Sequence, residues 1–278
     1  MARFTRMKVP AWRRMAAASW DPPRDPTILG TLALDARPLL AYIEQLRART
    51  GVRITLTHVV GRAVALALHA CPELNGRLVG TRFYQRDSID VFFQIVAEEG
   101  ADLSGAKIAH ADQKPTWEIA RELAERAHAV RSRQDPVFER TKKMGRRMPG
   151  WLLRLALRLA AWLDAHGIGL PGVPRDPFGS AMVTNVGMFG IDTGYAPLFP
   201  AGGPPIVILV GAVTEEPACE NGQVVARPTL RLHATFDHRF VDGFHAGVLA
   251  KAARRLLTDP STLDTEVEAP APAAASVI

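Results

Sequence analysis

Several features on which common protein functions depend are scarce or missing in this sequence. The 278 residues include two cysteines, Cys71 and Cys219, and no Cys-x-x-Cys pair, so we expect neither a disulfide framework nor a cysteine-based zinc site. No apolar run reaches the ~18 residues that a membrane-spanning helix requires. A Walker A sequence is missing, which removes one common phosphate cradle, and no ligand spacing predicts a metal.

The net charge of +6 is compatible with an anionic ligand such as coenzyme A, or with a composition that is simply rich in arginine. The sequence contains no zinc-finger spacing and no aromatic RNA-binding consensus, and we therefore expect no nucleic-acid partner. The segment Met1–Pro10 lacks the apolar core of a signal peptide, and we expect a cytoplasmic protein.

The composition divides the chain into three parts. Residues 1–26 form a basic N-terminal arm, residues 27–262 form the main domain, and residues 263–278 form an Ala- and Pro-rich tail that we expect to be disordered. Within the main domain we interpret residues 135–175 as a helical insertion.

Hydrophobic periodicity predicts a mixture of strands and helices, which indicates an α+β or two-layer α/β fold. The predicted strands are Thr27–Leu34, Arg77–Gln85, Ser88–Ala97 (after a turn at Arg86-Asp87), Met182–Asn185, Ile206–Thr214 and Arg231–Phe236. The predicted helices are Ala11–Ser19, Asp35–Arg49, Thr57–Cys71, Pro115–Gln134, Trp151–His166 and Phe244–Leu257. Of these helices, Thr57–Cys71 is apolar nearly all round and is predicted to be buried.

The helix Trp151–His166 is strongly amphipathic. Its apolar face carries Leu152, Leu155, Leu159 and Leu163. Basic residues precede it, namely Arg140, Lys142, Lys143, Arg146 and Arg147, which leaves contact with a membrane surface as an alternative. We favour packing of the apolar face on its own domain or on a neighbouring subunit.

The segment around His238 carries the clearest chemistry. His238 follows a predicted strand and precedes a helix, with Asp242 four residues further on and Gly243 next. Histidine suits a general base because its ordinary pKa is ~6.5, and glycine lets a chain turn tightly or approach a ligand. Spacing alone leaves an alternative, in which His238 and Asp242 only cap and pair at the start of a helix.

Sequence motifs make the catalytic interpretation more specific. Thr235–Gly243 closely resembles the active-site segment of dihydrolipoamide acyltransferases, the catalytic components of 2-oxo acid dehydrogenase complexes. Further segments resemble the same family in the same order: Val9–Ala17, Leu56–Asn75 and Val183–Gly190. The resemblance covers roughly residues 8–130 and 178–260.

The resemblance implies a chloramphenicol acetyltransferase-like fold, an α+β two-layer sandwich with a mixed sheet and packed helices. It also implies a homotrimer with active sites between subunits, and further assembly of the trimers is compatible with it. The implied reaction moves an acyl group between a thioester, of coenzyme A or a lipoyl group, and an acceptor thiol. Because no Asp-Lys-Ala lipoylation signal precedes the catalytic region, we expect a separate protein to supply any lipoyl group.

The family's roles carry over residue by residue. His238 corresponds to the base, and the Thr184 hydroxyl to the group that stabilises the oxyanion. Asp242 corresponds to an orienting residue paired with an N-terminal arginine, for which Arg13 is the match and Arg14 the alternative. Asn185 corresponds to a residue that positions the loop or a ligand.

The sequence also departs from the family. Thr184 stands where serine is usual, the stretch Gly100–Ile108 lacks the family's Pro-Val, and Phe244-His245 is more similar to chloramphenicol acetyltransferase. Two alternatives therefore stay open. One is acylation of a small hydroxyl or amine, as in chloramphenicol acetyltransferase; the other is a catalytically silent oligomeric scaffold of the same fold.

Overall fold

The computed structural model describes residues 25–79, 82–97, 102–131, 149–166, 168, 176–199 and 203–264. The helix expected at Ala11–Ser19, the candidate residues Arg13 and Arg14, and the tail from residue 265 onwards lie outside the described residues. So does the stretch 132–148 at the start of the expected insertion.

The described strands are β1 (Thr27–Asp35), β2 (Gly76–Val79), β3 (Arg82–Gln85), β4 (Val91–Ala97), β5 (Asp102–Ile108), β6 (Ala181–Asn185), β7 (Ile206–Glu220) and β8 (Gln223–Asp237). Six of them form one mixed sheet in the order β1-β8-β7-β6-β4-β5. Strand β6 runs parallel to both of its neighbours, and the other pairs are antiparallel. Strands β2 and β3 pair with each other in a separate hairpin.

The described helices are α1 (Arg37–Thr50), α2 (Leu56–His69), α3 (Thr116–Arg131), α4 (Gly150–Ala165) and α5 (Gly243–Thr258). Helix α2 is central, because it packs against α1, α3 and α5 and also against β4, β6 and β7. Its side chains are buried nearly all round, as the sequence predicts. Apolar side chains between this helical layer and the sheet, such as Phe93 and Leu68, form the core.

Three strand predictions need correction. Arg77–Gln85, predicted as one strand, is the β2–β3 hairpin, and the predicted turn at Arg86-Asp87 leads out of that hairpin towards β4. Strand β5 was not predicted, and it pairs antiparallel with β4. Strands β7 and β8 extend well beyond their predicted ends to a tight turn at Asn221-Gly222, where both residues have positive φ (51° and 80°). Such a pair is typical of a two-residue hairpin turn.

The described chain continues to Asp264, two residues beyond the expected domain boundary at 262. Leu263 is fully buried. One carboxylate oxygen of Asp264 accepts hydrogen bonds from the backbone N–H and the hydroxyl of Thr116, at 2.8 and 2.9 Å. The start of α3 therefore holds this end of the chain against the domain.

Helix α4 is present where the sequence predicts it, but its apolar face is covered only in part. Leu152 and Leu163 are half-buried, whereas Leu155 and Leu159 are 58% and 54% exposed. The expectation that this face packs on its own domain is therefore wrong for Leu155 and Leu159. Packing on a neighbouring subunit stays a prediction.

Candidate active site

His238 lies in a tight turn between β8 and α5. The backbone N–H of Asp237 donates to the carbonyl of Pro205 at 2.9 Å, and that of His238 donates to Pro26 at 2.8 Å. The N–H of Val241 closes the turn by donating to the carbonyl of Asp237 at 2.8 Å. Because these are backbone hydrogen bonds, the fold itself fixes the position from which the imidazole projects.

Asp237 and Arg239 brace the turn with a two-pronged ion pair. The Arg239 guanidinium donates to both carboxylate oxygens, at 2.9 and 2.6 Å, and the Arg239 backbone N–H adds a third hydrogen bond at 3.0 Å. Burial raises the pKa of Asp237, but the hydrogen bonds from Arg239 outweigh burial and hold the pKa below its usual range. The sequence prediction gave Arg239 no role, although an acid and an arginine two residues apart at a strand end are a usable signal.

The fold also selects which nitrogen of His238 is free. Its Nδ1 lies 3.0 Å from the backbone carbonyl oxygen of Val241. A carbonyl oxygen can only accept, so Nδ1 carries the proton and donates. In the neutral ring Nε2 is then left with its lone pair, on a side chain that is exposed in the single chain. This is the tautomer that a general base requires.

Asp242 does not bond to His238 in the described structure. It is the N-cap of α5, where one carboxylate oxygen accepts the backbone N–H of His245 at 2.9 Å and lies 2.7 Å from Nδ1 of the His245 ring. The backbone hydrogen bond from His245 lowers the pKa of Asp242. The pairing of Asp242 with Arg13 involves a residue outside the described part and stays a prediction.

Gly243 is the first residue of α5. It has no positive φ, and a Cβ built on it would meet no atom of the chain within 4 Å. The tight turn expected of this glycine is therefore not required by its backbone conformation. Close approach of a ligand stays a prediction.

Thr184 and Asn185 are the last two residues of β6, which is separated from β8 by β7 in the sheet. Thr184 is buried, and its hydroxyl makes no hydrogen bond to another described residue, so it is available as a donor. The amide nitrogen of Asn185 donates to the Thr57 hydroxyl at 2.8 Å, and the amide oxygen accepts the Met188 backbone N–H at 3.3 Å. Asn185 thus ties the segment after β6 to the first turn of α2.

One chain does not bring Thr184 and His238 together. Thr184 lies opposite Leu209, and Leu209 lies opposite His233, so Thr184 is two strands away from β8 and five residues short of His238. With ~3.3 Å per residue and ~4.8 Å between strands, the two Cα atoms are about 19 Å apart. A hydroxyl and an imidazole at that separation cannot act on one carbonyl group.

The β2–β3 hairpin packs against the turn that carries His238. The Phe240 ring packs on Phe83, with ring centres 5.6 Å apart. Gly76 lies so close to the Phe240 ring that any Cβ at that position would overlap it. The sequence prediction missed Gly76 because it is far from His238 along the chain, although it follows the family-like segment that ends at Asn75.

Fold and turn together define a class of protein, an α+β domain with a histidine of fixed tautomer at the corner of a mixed sheet. A probable dihydrolipoamide acetyltransferase from Listeria monocytogenes has this fold, with a TM-score of 0.64 and 19% identity, over 95% of this chain and 99% of that chain. The cubic core of the pyruvate dehydrogenase multienzyme complex matches at a TM-score of 0.63 and 19% identity, over 94% of each chain. The expected α+β fold with a mixed sheet and packed helices is confirmed.

The chain belongs to the family described as 2-oxoacid dehydrogenases acyltransferase (catalytic domain), whose model matches residues 3–138 and 178–264. The family expected from the motifs is thereby confirmed. The unmatched residues between the two segments contain α4. Among curated relatives, the dihydrolipoyllysine-residue acetyltransferase component of the acetoin cleaving system of Bacillus subtilis is 26% identical over 239 residues, or 84% of this chain. The chain spans about half the length of that relative (50%) and less of the next two (39% and 45%).

Proposed function

We propose that this domain transfers an acyl group between a thioester and an acceptor thiol, with His238 as the general base. The observation that carries the proposal is the hydrogen bond from Nδ1 of His238 to the Val241 carbonyl, since it leaves Nε2 free to accept a proton. Membership of the acyltransferase family supports the same reaction class.

The chemistry follows from that tautomer. Nε2 takes the proton of the acceptor thiol, and the resulting thiolate attacks the thioester carbonyl to form a tetrahedral oxyanion. The intermediate collapses by breaking the bond to the original sulfur, which leaves as a thiolate and takes the proton back from the imidazolium. A base placed in this way contributes about 10²–10⁴-fold to the rate.

The oxyanion needs a donor, and we assign it to Thr184 of a neighbouring subunit. The separation of about 19 Å within one chain supports a site built from two copies. A homotrimer with three such sites accounts for this geometry, and the trimers can assemble further. In this arrangement Asn185 holds the Thr184 segment, while Asp242 and Arg13 hold the start of α5.

Coenzyme A and a dihydrolipoyl group are the thiols we propose as substrates. The acyl group reaches the site on coenzyme A or on a lipoyl group, and the reaction takes place in the cytoplasm. No nucleic acid takes part.

The base is tested by acetyl transfer from acetyl-coenzyme A to dihydrolipoamide. His238→Ala should lower kcat by about 10²–10⁴-fold, and His110→Asn, which changes an exposed histidine outside the turn, should not. Full activity of His238→Ala would mean that another group is the base. Transfer only to small alcohols or amines would favour the chloramphenicol acetyltransferase-like alternative, and no transfer to any acceptor would favour a silent scaffold.

The shared site is tested by complementation. His238→Ala and Thr184→Val chains, each nearly inactive alone, are co-produced with different tags so that they assemble at random. At equal amounts about a quarter of the sites receive an intact His238 and an intact Thr184, so about a quarter of the activity should return. If the mixed assemblies stay inactive, the two residues act within one chain or not in one site.

A further inference from the structure

Helix α4 presents an apolar stripe that the described chain leaves open. The stripe consists of Trp151, Leu155, Leu159 and Trp162, which share one face at helical spacing. Trp151 is 71% and Trp162 is 53% exposed, in line with the two leucines. The family match resumes only after this helix, so α4 lies outside the shared catalytic core. The stripe is therefore a feature of this chain and not of the core.

Positive charge accompanies the stripe. Arg158 is exposed on the same face and makes no ion pair with a described residue. The ten residues before the helix, 140–149, contain five lysines and arginines and no acid. An apolar stripe combined with a basic flank is the pattern that binds flat at an anionic lipid surface, where tryptophan is favoured at the level of the headgroups.

The opposite side of the helix is fastened to the domain. Asp164, near its end, pairs with Arg77 at 2.6 Å, and the backbone N–H of Asp176 donates to the same carboxylate at 3.1 Å. Both side chains of the Asp164–Arg77 pair are largely buried. This anchorage holds α4 on the domain while the stripe points away from it.

The anchorage also connects α4 to the catalytic turn. Arg77 is the β2 residue next to Gly76, and Gly76 packs directly on Phe240, two residues after His238. A surface bound by α4 would therefore lie at the end of the domain that carries the catalytic turn.

We infer that α4 docks this domain on an anionic lipid surface, lying in the plane of the headgroups. Within the described part of the chain no helix is long and apolar enough to cross a membrane. A symmetric contact between two copies of α4 fits less well, because it would bring the two copies of Arg158, near the middle of the helix, into one apolar contact. The inference does not depend on the proposed acyl transfer.

The test is flotation of the full chain with vesicles of phosphatidylcholine alone or mixed with phosphatidylglycerol. Wild type should bind the anionic vesicles at least about tenfold more strongly, and 0.5 M NaCl should weaken binding because it screens the basic flank. If the wild-type protein does not bind anionic vesicles more strongly than neutral ones, the inference is wrong, whatever the variants do.

Variants locate the contact. Leu155→Ser with Leu159→Ser should abolish binding, and Arg158→Glu should weaken it. Val224→Ser, a control that removes an apolar side chain 79% exposed on β8, should bind like wild type. Circular dichroism checks that each variant is folded. Light scattering gives the mass, and if the serine variant lowers the oligomer mass while Arg158→Glu binds normally, the stripe is an interface between copies and the inference is wrong.

Discussion

A histidine in the first turn of α2 makes the stability of the domain depend on pH. His58 occupies the third helical position, where Glu or Gln usually completes a capping box, and its Nδ1 accepts the Thr55 backbone N–H at 3.1 Å. An N–H can only donate, so this contact requires an unprotonated Nδ1. Burial, followed by the positive charges of Arg47 and Arg53, lowers the pKa of His58 to about 4.

The sign and the magnitude follow from linkage. The unfolded chain has an ordinary histidine pKa of ~6.5, so between that pH and about 4 the unfolded state binds a proton that the folded state does not. The stability that His58 contributes is complete above pH 6.5 and is lost as the pH falls towards 4. Between pH 8 and pH 5 the free energy of unfolding should fall by about 2 kcal/mol from this residue alone.

The matched variant is His58→Gln, which keeps a side chain suited to the capping box but cannot titrate. Urea unfolding of both proteins at pH 8 and pH 5, at one protein concentration, isolates the contribution. Wild type should lose about 2 kcal/mol more than the variant. An equal loss in both proteins would refute the reasoning, because other groups would then account for the acid sensitivity.

The same turn reaches the candidate site. Thr57, next to His58, accepts the hydrogen bond from Asn185 at 2.8 Å, and Asn185 follows Thr184. Protonation of His58 breaks the cap of the turn that holds Asn185. Acid should therefore loosen the segment that carries the proposed oxyanion donor before the domain unfolds.

Three further predictions concern the turn and the oxyanion donor. Gly76→Ala forces a methyl group into the Phe240 ring and should lower kcat/KM by about 10–100-fold with the far-UV circular dichroism unchanged; unchanged kinetics would mean that the hairpin does not position the turn. Arg239→Leu removes the guanidinium from the Asp237 carboxylate, which keeps only the backbone hydrogen bond, and should destabilise the domain by about 1–2 kcal/mol in urea unfolding at pH 7, with the difference shrinking in acid as Asp237 becomes protonated. Thr184→Ser keeps the hydroxyl and should retain kcat within a few-fold, whereas Thr184→Val should lose about 10²–10³-fold; equal losses would point to packing and not to the hydroxyl.

The sequence predicts the elements whose residues carry a strong local pattern. Within the described residues the helices are found close to their predicted positions because apolar side chains recur at helical spacing, as in α2 and α5. Strand β5 has no such pattern, since it contains Ser104, Gly105 and Lys107 and becomes a strand by pairing with the edge of β4. The long hairpin did leave a signal, the dipeptide Asn221-Gly222, whose two positive φ angles suit a hairpin turn.

The candidate site likewise has some residues that the sequence indicates and some contacts that it does not. His238, Asp242 and Thr184 stand out by residue type and motif, so the sequence names them as candidates. The partner that sets the tautomer of His238 is the carbonyl of Val241, and a backbone group leaves no trace in the sequence. Gly76 is equally hidden, because its contact with the turn depends on where the hairpin packs.

The geometry of the turn shows how Asp242 can orient His238 without contacting it. Asp242 caps α5 through the backbone N–H of His245, while the Val241 carbonyl, one residue earlier, holds the ring of His238. Asp242 therefore acts on the chain that follows His238 and not on His238 itself. The chain running from β8 into α5 fixes the position of the Val241 carbonyl. A stable start of α5 therefore keeps the His238 ring in its orientation. An arginine paired with Asp242 would then steady the helix start, and through it the direction in which Nε2 of His238 points.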